Sequence, residues 1–201
     1  MVSPVATKGR FTDKVTGIAS LTDAETGDLS YLGAAKFEKD VPGSAASVVL
    51  LPSDYPEEPG EGQCYLLVEN PASALALICA RIEQTLWPKP TPGIHPSSVV
   101  DPSATIDPAA TIGPLCVVEG GAVIGAGTHL QSQVFIGANA RIGADCWFAA
   151  GAHVASYSEI GDRVRLHAGV VIGSDGFGYE VVEGRHAKVP QVGVVIVGHD
   201  V

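Results

Sequence analysis

Taking every sixth residue from Ile94 gives Ile94, Val100, Ile106, Ile112, Val118, Ile124, Leu130, Ile136, Ile142, Phe148, Val154, Ile160, Leu166 and Ile172, all aliphatic or Phe. The residue four places after each is small or β-branched: Ser98, Ala104, Ala110, Cys116, Ala122, Thr128, Val134, Ala140, Cys146, Ala152, Ser158, Val164 and Val170. One large and one small inward residue per six describes a single flat side of a triangular coil, and three sides make a coil of 18 residues. Successive coils hydrogen-bond as parallel strands about 4.8 Å apart. An α-helix does not compete, because the period is wrong and Gly and β-branched residues would penalise it at almost every turn. A sandwich would need turns between alternating strands rather than an unbroken register. The expectation is a parallel β-helix over residues 94–201. Glycines follow the large residue at 113, 125, 137, 143, 161 and 173, and are read as easing the backbone around corners.

Residues 18 apart stack on one outer face. One face reads Val99, Val117, Phe135, His153, Val171; a second Thr111, His129, Trp147, Arg165; a third Thr105, Val123, Arg141, Glu159. The first is too apolar to stand free in water and is the candidate subunit interface, which a cyclic trimer would satisfy. Arg141 and Glu159, one rung apart, are expected to pair on a solvated side.

The register breaks after Ile172 and resumes at Val197-Gly198, with Val201 as the next small residue. The segment at about 174–194 is therefore an ejected loop, the kind of excursion on which rigid scaffolds carry chemistry. Val201 then leaves a bare parallel edge, which solenoids normally cover with a cap. The expectation is that the chain is a fragment of a longer protein.

Residues 1–70 lack the register. Short apolar pieces at 15–21, 29–32, 46–51 and 64–68, separated by Gly, Pro and Asp, predict a small α/β domain. Asn70-Pro71 supplies a helix N-cap and first residue, and Leu75, Ile78, Ile82 and Leu86 follow at helical spacing. A helix over 71–86 and a Pro-rich stop through Gly93 form a connecting segment, 71–93, before the coils.

Composition narrows the chemistry. With 12 Lys and Arg against 22 Asp and Glu, the net charge of −10 disfavours general nucleic-acid binding, which needs clustered cations. No signal peptide opens the chain and no apolar stretch approaches a bilayer span, so a cytoplasmic protein is expected. Cys64, Cys79, Cys116 and Cys146 form no C-x-x-C pair and read as buried free thiols. No metal-ligand cluster, Walker loop, dinucleotide fingerprint or Ser-His-Asp arrangement can be found, and no cofactor is implied. His129 and His153 face outward, His167 sits at a corner, and none of the histidines has a carboxylate at a spacing that marks a relay.

Two clusters remain. In Asp175-Gly176-Phe177-Gly178-Tyr179 the glycines let Phe177 and Tyr179 stand as an aromatic edge, able to cover a ring or an acyl chain or simply to pin the loop. In the N-terminal part, Tyr31 and Phe37 flank Lys36, a set that either holds a base near a phosphate or packs in the core.

The loop sequence 172–179, Ile-Gly-Ser-Asp-Gly-Phe-Gly-Tyr, followed by Lys188-Val189-Pro190-Gln191-Val192-Gly193, resembles that of the UDP-3-O-acylglucosamine N-acyltransferases of lipid A biosynthesis. Thr16-Gly17-Ile18-Ala19-Ser20 and Gly27-Asp28-Leu29-Ser30-Tyr31-Leu32 resemble that family's uridine-binding domain, so the likeness runs from about residue 15 to the end. It implies a left-handed β-helix behind a uridine-binding-like α/β domain, a homotrimer with sites between neighbouring prisms, and acyl carrier protein and a UDP-acylglucosamine as partners. The reaction implied moves a 3-hydroxyacyl group to the glucosamine 2-amine. The family's uracil-holding aromatics correspond to Tyr31 and Phe37, and its lysine to Lys36; Asp175, Phe177 and Tyr179 belong to the matching loop. Two departures stand out. Ala34 replaces the family's asparagine and cannot offer an amide to the uracil edge, and residues 1–14 replace the first helix. The family's general-base histidine falls in coils beyond Val201, and His199 sits where an acidic corner residue is usual, so no catalytic residue is assigned. A coenzyme A-dependent sugar acetyltransferase and a non-catalytic trimeric nucleotide-sugar-binding scaffold are the alternatives.

Overall fold

In the computed structural model, which describes residues 3–201, the six-residue register becomes three stacked parallel sheets. The two-residue strands Val99–Val100, Val117–Val118, Phe135–Ile136, His153–Val154 and Val171–Ile172 form one sheet. Val117 pairs with Val99 and Phe135, Thr111 with His129, and Thr105 with Val123, each 18 residues away. Val118, Ile136 and Val154 lie together in the buried interior with Ile124, Leu130 and Phe148. The first rung is less well covered, and Ile94 remains half exposed. Arg141 and Glu159 are opposite each other in register, yet no ion pair joins them among the described residues.

The corners correct one expectation. From Leu115 onward, the left-handed residue in each turn of the column is the one before the small inward position, occupied by Gly121, Gly127, Gly151 and Gly169 but also by Leu115, Gln133, Asn139, Asp145, Tyr157 and Arg163. The glycines after the large residue serve a different purpose, because the next coil passes too close for a side chain. A Cβ on Gly125 would stand 2.7 Å from the Gly143 backbone, and one on Gly143 would stand 2.6 Å from that of Gly161. Gly113, Gly125, Gly137, Gly143 and Gly161 permit stacking rather than turning, and Gly173 alone of the set is left-handed.

The register departs at Gly173. Glu159 pairs with Ile196 and Ile160 with Val197, and Arg165 N–H donates to the Val201 carbonyl, so the coil resumes after the excursion as its sequence indicated. Within the loop, Tyr179–Val182 and Arg185–Lys188 form an antiparallel hairpin.

The chain divides into two compact units, Met1–Lys89 and Pro90–Val201. In the first, strands β1 (Ala6–Gly9), β2 (Gly17–Ile18), β3 (Asp28–Tyr31), β4 (Val48–Pro52) and β5 (Cys64–Val68) form one sheet in the order β1-β5-β4-β3-β2. β2 to β5 run parallel and β1 is antiparallel to β5. Alternation in β4 sets the two faces: Val48 and Leu50 pack under the helix with Leu29, Val68 and Ala74, while Val49 and Leu51 join Leu21, Val41 and Tyr65 on the other side. Helix α1 (Pro71–Leu86) starts where expected, with the Asn70 side chain accepting the Ser73 N–H at 2.9 Å. Cys64, Cys116 and Cys146 are buried free thiols; Cys79, on α1, is exposed instead.

Candidate functional site

The ends of β3 and β4 and the start of α1 surround a depression of about 560 Å3. Such a crevice at the carboxyl ends of parallel strands is the usual place for a ligand in an α/β unit. Three carboxylates, Glu38, Asp54 and Glu69, line it beside Gly33, Ala34 and the first turn of the helix. Tyr55 closes one side. Burial, and next its hydrogen bond to Glu57 Oε2 at 3.1 Å, raise its phenol above the ordinary tyrosine value and keep it a donor.

Of the residues expected to hold a nucleotide, Tyr31 ends β3, half-buried against Leu29, Val48 and Leu50. Its ring lies over Gly33, where an added Cβ would meet it at 2.9 Å. Lys36 and Phe37 sit on the short 3-10 turn Ala35–Asp40, with the Lys36 Nζ 4.8 Å from the centre of the Phe37 ring. Phe37 is 44% exposed, so it faces solvent rather than the core. Ala34 caps that turn in extended conformation with no side-chain bond, and it lines the depression, whereas Tyr31, Lys36 and Phe37 do not. The structure thus brings Lys36 and Phe37 together and leaves Tyr31 in a separate contact.

On the loop, Phe177 and Tyr179 form a tilted pair 5.3 Å apart. Phe177 is 95% exposed and Tyr179 45%. A brace holds them. Lys188 Nζ lies 3.1 Å from Asp175 Oδ2, donates to the Val189 carbonyl at 2.7 Å, and stands 5.7 Å from the Tyr179 ring. Gln191 packs beside the Cα of Gly176 and Gly178 and donates to the same carbonyl. Asp175 therefore works as a partner of Lys188, a role the sequence reading did not foresee; the pair is close only because the hairpin folds the loop back on itself.

Sequence reasoning also missed the contacts where the loop rejoins the column. His199 Nδ1 accepts the Asp162 N–H at 2.9 Å and lies 3.2 Å from Asp162 Oδ2, and Arg163 grips Asp200 through two hydrogen bonds of 2.6 and 2.8 Å. That grip holds the Asp200 carboxyl below the usual aspartate range. These partners are one coil apart in space, but the loop separates them in sequence. His199 is a stitch between rungs. Elsewhere on the column, His153 stacks on Phe135 at 4.3 Å and Trp147 meets His167 edge-on. Burial raises the Cys116 and Cys146 thiols, so neither is a nucleophile. Among the described residues, no group of three or more His, Cys, Asp or Glu could hold a metal ion, and no helix is long and apolar enough to cross a membrane.

The chain matches two family profiles: residues 14–81 match UDP-3-O-(3-hydroxymyristoyl) glucosamine N-acyltransferase, LpxD, and residues 139–174 match the bacterial transferase hexapeptide (six repeats). Among curated relatives, it is 39% identical over 94% of its length to a UDP-3-O-acylglucosamine N-acyltransferase of Paracidovorax citrulli, covering 51% of that protein. With proteins of the same name, identity is 42% over 98% of the chain in Anaeromyxobacter dehalogenans and 41% over 93% in Xanthomonas oryzae pv. oryzae, covering 56% and 54% of those proteins. The chain spans about half the length of the curated relatives it matches.

Proposed function

We propose that this chain belongs to the UDP-3-O-acylglucosamine N-acyltransferase family and serves in moving a 3-hydroxyacyl group from acyl carrier protein to the 2-amine of UDP-3-O-(3-hydroxyacyl)glucosamine. One observation carries the reading: a small α/β unit that matches the acyltransferase family and a six-residue column that matches the bacterial transferase hexapeptide occur in a single chain.

In that reaction the amine nitrogen attacks the thioester carbonyl, a C–N bond forms, the C–S bond breaks and the carrier leaves as a thiol. A base removes the amine proton, and hydrogen-bond donors stabilise the tetrahedral oxyanion. No residue of this chain is assigned to either task. Its share is binding and orientation. The exposed Phe37 ring and the neighbouring Lys36 ammonium offer stacking for a base and charge for a diphosphate, with Tyr31 at the adjoining strand end. The three carboxylates of the nearby depression disfavour a diphosphate inside it and direct the phosphates toward Lys36. Phe177 and Tyr179 offer apolar cover to an acyl chain, with Asp175 and Lys188 fixing the loop beneath them. The apolar face from Val99 to Val171 fits a trimer contact, and a cytoplasmic setting fits the substrates.

Titration calorimetry with UDP-N-acetylglucosamine and with acyl carrier protein tests this. We expect both to bind the native chain, Phe37→Ala to weaken the sugar nucleotide about tenfold, consistent with one lost stacking contact of 1–3 kcal/mol, and Phe177→Ala to leave the sugar nucleotide unaffected. Binding of acetyl coenzyme A with no response to either proposed ligand would favour a coenzyme A-dependent acetyltransferase.

A further inference from the structure

Among the small inward positions, five carry a side chain able to donate a hydrogen bond: Ser98, Cys116, Thr128, Cys146 and Ser158. The first four use it alike. Ser98 Oγ donates to the Gly113 carbonyl at 2.7 Å, Cys116 Sγ to that of Gln131 at 2.8 Å, Thr128 Oγ1 to that of Gly143 at 2.7 Å, and Cys146 Sγ to that of Gly161 at 3.0 Å. Each acceptor lies fifteen residues onward, at the first corner after the large inward residue of the next coil.

Ser158 breaks the series. Its hydroxyl is buried and has no hydrogen-bond partner. Fifteen residues onward is Gly173, the residue at which the loop leaves the column. Gly173 has φ +84°, whereas Gly113, Gly143 and Gly161 do not enter the left-handed region. Rotation about φ swings a residue's own carbonyl, so the departure of the loop and the loss of Ser158's acceptor are one event.

We propose that Ser158 and Gly173 form a latch, and that the loop has a second setting in which Gly173 returns to negative φ and its carbonyl accepts the Ser158 hydroxyl. Glycine crosses between these halves of φ space without the penalty a Cβ brings. In the present setting a Cβ at 173 would meet Ser158 Oγ at 2.7 Å and Ala155 Cβ at 2.9 Å, so only glycine serves as the hinge. Leaving a buried donor unpaired is unfavourable, and the latched setting recovers the bond that the four equivalent positions make. Within the loop, the Lys188–Asp175 brace links the hairpin to the residues beside the hinge, so the aromatic pair moves with it. A ligand that contacts Phe177 and Tyr179 more strongly in one setting would bias the equilibrium. The latch goes beyond the acyl-transfer reading and does not depend on what the loop binds.

The test is 19F NMR of the chain carrying 3-fluorotyrosine, with the Tyr179 resonance assigned by Tyr179→Phe. Ser158→Ala removes the latch bond and is expected to split or shift that resonance toward the swung-out limit. The population ratio should change roughly fivefold, the equivalent of one neutral hydrogen bond. Ser158→Cys should retain the native signal, because Cys116 and Cys146 show that a thiol fills this role. Gly173→Ala, which disfavours the swung-out setting, should move the signal the opposite way and is independent of the Ser158 variants. A Tyr179 resonance unchanged by both Ser158→Ala and Gly173→Ala overturns the latch.

Discussion

The column and the loop it throws out are neighbours in sequence and opposites in physics. From Ala110 to Leu166 the inward residues are buried, and each coil is bound to the next through backbone bonds such as Val117 N–H to the Val134 carbonyl. In the hairpin from Tyr179 to Lys188 every residue is exposed, and order comes from a tight turn, a strand pair and one brace at Lys188. A repeat protein derives stability from contacts between adjacent units, so residues outside the stack are released from that duty. The difference teaches where selection for stability ends and room for recognition begins.

Exchanging the same chemistry between the two regions should expose this most strongly. Phe148→Ala, in the interior, should cost about 3–5 kcal/mol in urea unfolding, because the ring is fully enclosed by the coils. Phe177→Ala should change stability by no more than about 0.5 kcal/mol and alter only what the loop binds. Equal losses would erase the distinction. Glycines give the next largest contrast. Gly143→Ala sets a Cβ against the Gly161 backbone and should cost about 1–3 kcal/mol, while Gly193→Ala meets nothing within 4 Å and should be close to neutral.

A smaller contrast lies inside the column. Thr128→Val removes a donor to Gly143 and an acceptor for the Cys146 N–H, and should cost about 1–2 kcal/mol by thermal or urea unfolding. Ser158→Ala removes a hydroxyl with no partner in the structure and should cost less than half as much. The smallest effect is one of pH. Burial raises the Cys116 and Cys146 thiols above their ordinary 9.0 in the folded chain. Well below pH 9.0 the thiols are neutral in both states and their contribution is intact. Above it the unfolded thiols ionise first, so stability falls as pH rises. The native chain should lose more stability between pH 8 and 10 than a Cys116→Ala/Cys146→Ala variant measured beside it.

The column was legible because its signal is periodic and its cause is packing: one inward residue per side, repeated from Ile94 to Ile172, allows few other folds. The resumption at Val197 was legible for the same reason. The function of the corner glycines was not, since sequence does not distinguish a residue needed for left-handed φ from one needed for backbone approach, and Leu115, Tyr157 and Arg163 adopt the turn without glycine. Strand β1 escaped notice because Ala-Thr-Lys-Gly carries no apolar alternation; it is held by pairing with β5. The Lys188–Asp175, His199–Asp162 and Arg163–Asp200 contacts escaped because each depends on how the loop folds or how much chain it removes from the register. Lys36 and Phe37 were legible as an aromatic beside a cation, whereas Tyr31 stands in a separate contact, and the nearby acidic crevice draws on Asp54 and Glu69, far away in sequence.

Excising residues 174–192 puts Val197 six places after Ile172, so the column can close over the gap. Hydrogen exchange at the amides of Glu159 and Gly161, which donate to the carbonyls of Val195 and Val197, reports on that closure directly. If the column owes nothing to the loop, both amides stay as protected as in the intact chain and unfolding remains one cooperative transition. Free exchange at those amides, or loss of the transition, would show that the excursion is part of the scaffold.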